Sequence, residues 1–121
     1  MKKVIVTGGS GFIGSNLVNY LISKKYFVIN IDKLSYSSSK FALRYLKNNK
    51  KYVFFKCDIN NKKKIISILN KHKPDAIFNL AAETHVDRSI NSPLNFVNSN
   101  ILGTYNLLEA ILTYRKKNIK K

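Results

Sequence analysis

The chain has 121 residues, enough for a single domain, since one domain takes roughly 100–200 residues. Lys and Arg number 22 against 6 Asp and Glu, a net charge of +16, which raises nucleic acid or another anionic surface as a partner. A lone cysteine, Cys57, excludes an intrachain disulfide and a cysteine zinc site. No run approaches the ~18 apolar residues of a membrane span, and Val4–Val6 is too short for an export signal.

Most of the positive charge is Lys in short, scattered groups (Lys50–Lys51, Lys62–Lys64, Lys71, Lys73, Lys116–Lys121), alongside abundant Asn, Ile, Tyr and Phe. AT-rich coding produces that mixture. The lysines therefore read as solvated rather than as a nucleic-acid face, and a basic binding module stays as the alternative. A cytoplasmic protein is expected.

Along the chain, Val4–Thr7 is a β-branched run stopping at glycines, as a buried parallel strand does. Phe12, Ile13, Leu17, Val18, Leu21 and Ile22 then recur at helical spacing. Val28–Ile31 predicts a second strand ending at Asp32, and Ser35–Ser39 a loop. A short helix is expected around Phe41–Lys47. Tyr52–Lys56 predicts a third strand, and Lys62–Lys71 a helix with Ile65, Ile66, Ile68 and Leu69 on one stripe. Pro74 stops that helix, because its ring forbids continuation. Ala76–Ala81 predicts a fourth strand, and Pro93 opens a long helix running past Leu112. Strands alternating with helices imply right-handed βαβ units and a parallel sheet covered on both faces. A three-layer α/β Rossmann fold follows, truncated after the fourth βα unit, because no fifth strand succeeds the last helix.

The segment Thr7-Gly8-Gly9-Ser10-Gly11-Phe12-Ile13-Gly14 joins the first strand to the first helix, the context in which a glycine pattern signals a dinucleotide. Gly8 allows the tight turn, Gly11 lets a pyrophosphate approach the backbone, and Gly14 lets the helix pack on the sheet. The helix start offers its free N–H groups to phosphates. Asp32 stands about 20 residues on, where a carboxylate accepts ribose hydroxyls. It would repel a 2′-phosphate, favouring NAD over NADP, while the adjacent Lys33 partly offsets the repulsion. Asp58, ending the third strand, suits either an adenine edge or a helix cap. Ala81 and Ala82 are small, as a cofactor passing the backbone needs. His72 and His85 are too far apart for a metal site, and Asp87–Arg88 reads equally as a loop ion pair. Cys57 reads as a packing residue.

The glycine loop TGGSGFIGS, the step Asp32-Lys33-Leu34-Ser35, Asp58-Ile59 and the run NLAAETHVDRSI resemble the extended short-chain dehydrogenase/reductases acting on nucleotide sugars. Within that group, Ala81–Ile90 and Phe96–Ala110 are similar to the dTDP-glucose 4,6-dehydratase family. The resemblance implies that Phe12 and Ile13 lie along the pyrophosphate, Asp32, Lys33, Leu34 and Ser35 around the adenosine ribose, and Asp58 and Ile59 at the adenine. It places Leu80, Ala81, Ala82, Glu83, Thr84 and Ser99 near the nicotinamide side of NAD, with Thr84 also touching the sugar where the family usually has Ser. The implied reaction is dehydration of dTDP-glucose with transient hydride transfer to NAD, serving dTDP-rhamnose and surface polysaccharide synthesis. A homodimer is implied for the full-length enzyme. The family's Tyr-x-x-x-Lys pair, its threonine–acid–acid group and its nucleotide-sugar domain fall beyond Lys121. No catalytic residue is assigned, and an inactive N-terminal part of the NAD-binding domain is expected. A fragment of a related epimerase or decarboxylase is the alternative within the same superfamily.

Overall fold

The computed structural model describes residues 1–34, 43–82 and 93–118. Four strands form one parallel sheet: β1 (Lys3–Thr7), β2 (Phe27–Asp32), β3 (Tyr52–Lys56) and β4 (Ala76–Asn79), in the order β3-β2-β1-β4. Helix α1 (Phe12–Ser23) connects β1 to β2, and α2 (Lys62–His72) follows β3. A helical run after β4 comprises α3 (Pro93–Val97), a π-helical segment (Asn98–Leu102) and α4 (Gly103–Asn118). This is the Rossmann-like α/β arrangement that the alternating pattern predicts.

The contacts gather the chain into two compact units. One contains Met1–Cys57 and Pro74–Ala81, the other Asp58–Lys73 and Ala82–Lys121.

In the first unit the apolar runs become buried strands. Val4, Val6 and Val28 project to one side, where they form a core with Val18 and Leu21 of α1 and with Leu43 and Leu46. Ile5, Ile29 and Ile31, which alternation sends to the other side, are equally buried. The helix expected around Phe41–Lys47 is a single 3-10 turn, Arg44–Leu46, with Phe41 and Ala42 outside the described residues. Leu43 and Leu46 bury themselves from that turn, and this packing needs only two residues between them.

In the second unit α2 packs on α4. Ile65, Ile68 and Leu69 are buried, as the stripe predicts. Asn61 caps α2 by accepting from the Lys64 N–H at 3.2 Å. The helix ends at His72 because Lys73 turns left-handed at φ 49°, before Pro74 can act; the proline takes the common place just after a C-cap.

Two boundaries differ from the periodic reading. The strand expected over Ala76–Ala81 stops at Asn79: the Leu80 N–H is shared between the Thr7 carbonyl and hydroxyl, and the Ala81 N–H turns to the Thr7 hydroxyl. The long helix from Pro93 is interrupted by the π segment. There the Gly103 N–H reaches back five residues to the Asn98 carbonyl, which also accepts from Asn60 Nδ2 at 3.1 Å.

Candidate functional site

In a parallel sheet the loops that can hold a ligand lie beyond the carboxyl ends of the strands. In the first unit three of those ends are tied together. Gly8 takes φ 70°, a left-handed conformation open to glycine, and its N–H donates to the Ile31 carbonyl at 2.8 Å. A Cβ on Gly8 would stand 2.7 Å from the Leu80 oxygen and 2.8 Å from the Ala81 nitrogen. The loop after β1 therefore passes against the backbone leaving β4. Thr7 secures that approach: its Oγ1 donates to Asn79 Oδ1 and accepts from the N–H groups of Leu80 and Ala81 at 3.1 and 3.2 Å.

Gly14 is set by packing rather than by conformation. A Cβ there would lie 2.1 Å from the Gly8 carbonyl oxygen, so α1 begins directly against the turn. Gly11 is different. Its φ of −77° is open to any residue, and a Cβ would meet only the Gly8 oxygen, at an ordinary 3.4 Å. Gly11 is the backbone N-cap of α1, with no side-chain cap and no acidic residue in the first turn. The first N–H groups of a helix have no intrahelical acceptor, and here they belong to Phe12, Ile13 and Gly14. Phe12 and Ile13 are 83% and 68% exposed, although their helical spacing alone would have buried them.

Asp32 closes β2. It is buried, and both oxygens meet backbone donors: Oδ2 accepts from the Ser10 N–H at 2.9 Å and Oδ1 from the Leu34 N–H at 2.7 Å. The second bond holds Leu34 at φ 59°, a region that costs a residue with a Cβ of order 1–3 kcal/mol and concentrates at ligand sites. Lys33 between them is exposed. Gly8, Gly11, Phe12, Ile13, Gly14, Asp32, Lys33, Leu34, Leu80 and Ala81 thus all lie at the carboxyl ends of the strands of this unit, in the following loops or in the first turn of α1.

The remaining candidates belong to the second unit. Asp58 does not cap α2, whose cap is Asn61. Its Oδ1 instead accepts from the Asn60 N–H at 2.9 Å, closing a tight turn ahead of the cap. Asn60 then links the Asn98 carbonyl to the Asn106 amide, 2.7 Å from its Oδ1. Ile59 is buried where Gly103 leaves room for it: a Cβ on Gly103 would lie 2.7 Å from Ile59 Cδ1. Ser99 is buried within the π segment, a distortion that recurs at functional positions. Ala82 is exposed. Ser35, Glu83 and Thr84, with His85, Asp87 and Arg88, lie outside the described residues.

Four residues of the first unit have roles that the sequence pattern does not assign: Thr7, Gly9 and Ser10 stand in the glycine segment without a role of their own, and Asn30 stands inside an apolar run. Cys57 is buried, in keeping with a packing residue. Among the described residues no cluster of His, Cys, Asp and Glu could hold a metal ion, and no helix is long and apolar enough to cross a membrane.

The comparisons agree with this architecture. The chain is 53% identical to dTDP-glucose 4,6-dehydratase of Haemophilus influenzae over 115 residues, covering 94% of this chain and 34% of that protein. The structure matches dTDP-glucose 4,6-dehydratase of Streptomyces venezuelae, solved with NAD and TYD bound, with a TM-score of 0.86 and 34% identity over 93% of this chain and 36% of that one. UDP-glucose 4-epimerase of Thermotoga maritima, solved with UDP-glucose, matches at a TM-score of 0.82 and 36% identity over 93% of this chain and 34% of that one. The chain spans about a third of the length of these relatives. A family model described as GDP-mannose 4,6 dehydratase matches residues 5–121, and the chain belongs to that family, with close sequence similarity to dTDP-glucose 4,6-dehydratases.

Proposed function

We propose that this chain is the NAD-holding part of a dTDP-glucose 4,6-dehydratase, corresponding to the N-terminal portion of its Rossmann domain. Gly11 carries the reading. Gly8 is required by its backbone conformation and Gly14 by the Gly8 oxygen, but nothing in the described chain requires a glycine at position 11. A side chain there would occupy the space beside the free N–H groups that begin α1, where a pyrophosphate would be bound.

Asp32 fits the adenosine ribose. A carboxylate offers about four lone-pair sites, and the Ser10 and Leu34 N–H groups occupy one on each oxygen. A carboxylate at this strand end suits ribose hydroxyls and opposes a 2′-phosphate. Phe12 and Ile13 would flank the pyrophosphate, and Lys33, Leu34 and Ser35 the ribose. Asp58 and Ile59 would border the adenine, and Leu80, Ala81, Ala82, Glu83, Thr84 and Ser99 the nicotinamide side, with Thr84 also at the sugar. Dehydratase and epimerase relatives crystallised with NAD support the cofactor assignment.

In the whole enzyme NAD would accept and return a hydride, so that dTDP-glucose yields dTDP-4-keto-6-deoxyglucose and water. The acid–base groups for that chemistry are proposed to lie outside these 121 residues, so the chain alone would turn nothing over. The whole enzyme is proposed to be a cytoplasmic homodimer supplying dTDP-rhamnose for surface polysaccharide.

Calorimetric titration of the purified chain should show binding of NAD and weaker binding of NADP. Gly11→Val should remove NAD binding while leaving the melting temperature within a few degrees. Unchanged NAD affinity in that variant would refute the assignment, and formation of the keto sugar by the chain alone would refute its inactivity.

A further inference from the structure

Asn30 places an amide in the middle of β2, fully buried between apolar neighbours. Burying an amide is unfavourable unless its hydrogen bonds are made, and a valine or isoleucine would suit a central strand better. Its position explains what it does. Residues two apart on a strand project to the same side, so Asn30 and Asp32 both face the glycine loop.

Asn30 Nδ2 donates to Ser10 Oγ at 3.1 Å and to the Tyr52 hydroxyl at 3.0 Å. Asp32 takes the backbone N–H of the same Ser10. The other end of the amide lies against Gly9, where an added Cβ would stand 2.3 Å from Asn30 Oδ1 and 2.6 Å from Cγ. That oxygen is buried without a hydrogen-bond partner among the described residues. Tyr52, on β3, is half-buried and braces the amide from the adjacent strand.

We infer that Asn30 is a positioning residue for the phosphate-binding loop: braced by Tyr52, it fixes Ser10 and fills the space beside Gly9, which aims the N–H groups of Phe12, Ile13 and Gly14 at a dinucleotide pyrophosphate. This rests on the cofactor reading above. It also gives Gly9 a purpose that Gly8 and Gly14 do not share. Backbone atoms exclude a side chain at those two positions, whereas at Gly9 the obstacle is the Asn30 side chain itself.

The test compares two probes, ADP-ribose and adenosine, on the wild-type chain and on Asn30→Ala, Tyr52→Phe, Gly9→Ala and the Gly9→Ala/Asn30→Ala double variant. Losing the amide's bonds should weaken ADP-ribose by about tenfold and adenosine by less than about twofold, because only the former carries the pyrophosphate. Tyr52→Phe keeps the volume and removes only the brace, so it should weaken ADP-ribose by about threefold, and it decides the matter should Asn30→Ala unfold. The double variant should bind ADP-ribose more tightly and melt higher than Gly9→Ala. Equal losses for the two probes, no loss, or a double variant no better than Gly9→Ala would overturn the inference. If the wild-type chain binds neither probe, the cofactor reading falls, and the melting comparison of Gly9→Ala with the double variant alone supports or refutes the role of Asn30.

Discussion

Strands β2 and β4 both pair with β1 in parallel, yet their side chains meet opposite surroundings. Every residue of β2 from Val28 to Asp32 is buried, including the amide of Asn30 and the carboxylate of Asp32. β4 is shorter and wholly apolar until Asn79, but Phe78 is 40% exposed and Leu80, just beyond it, is 36% exposed. Apolarity therefore does not decide burial in this sheet. Place in the strand order does: β2 is flanked by β1 and β3, whereas among the described residues β4 is bonded on one side only. Polar residues survive in the enclosed strand because each meets a partner in the loop above. Apolar residues of β4 and just beyond it are more exposed.

The largest expected effect contrasts the two strands directly. Ile29→Ala should lower the free energy of unfolding by about 3 kcal/mol, because it opens a cavity in a filled core, whereas Phe78→Ala should lower it by less than about 1 kcal/mol. Urea titrations of the two variants measure the difference, and similar losses would mean that the edge strand is covered after all.

A smaller effect belongs to the clamp joining β1 to the end of β4. Thr7→Val keeps the shape and removes the hydroxyl that serves Asn79, Leu80 and Ala81. The expected cost is about 1–2 kcal/mol, with faster amide exchange at Leu80 and Ala81 than at the β2 amides. Unchanged exchange would assign the end of β4 to some other restraint.

The smallest effect is confined to alkaline pH. Burial pushes the Tyr52 phenol above its ordinary value; the Asn30 hydrogen bond works against that rise, and the negative charge of Asp32 adds to it. The folded chain therefore holds this proton more tightly than the unfolded chain. That contribution is complete below the ordinary tyrosine value near 10 and is lost as pH climbs through the raised value. Tyr52→Phe should flatten the alkaline fall in the urea midpoint. An unchanged slope would show that other groups produce it.

Local pattern was a good guide wherever an element is held by its own periodicity. The glycines after Val6, the helical spacing from Phe12, and the stripe Ile65, Ile68 and Leu69 led directly to β1, α1 and α2. The pattern failed where a distant partner sets the boundary. Thr7 ends β4 through bonds to residues more than seventy positions away. Asn60 reaches the Asn98 carbonyl within the π segment from thirty-eight positions away. For the candidate site, Gly8, Gly14 and Asp32 were legible because their spacing is fixed by a strand–turn–helix connection. The role of Asn30 was not, since a polar residue inside an apolar run carries no sign of which loop will meet it, and the motif gives no sign that Gly9 and Ser10 are its partners.

The sequence by itself determined the parallel α/β order and the glycine turn, because hydrophobic periodicity and glycine's conformational range act over a few neighbouring residues. Only the tertiary structure decided which glycine is held by backbone, which by a side chain, and which by nothing among the described residues. Those distinctions depend on atoms that the chain brings to within 2–4 Å from far away in sequence, and no local preference records them.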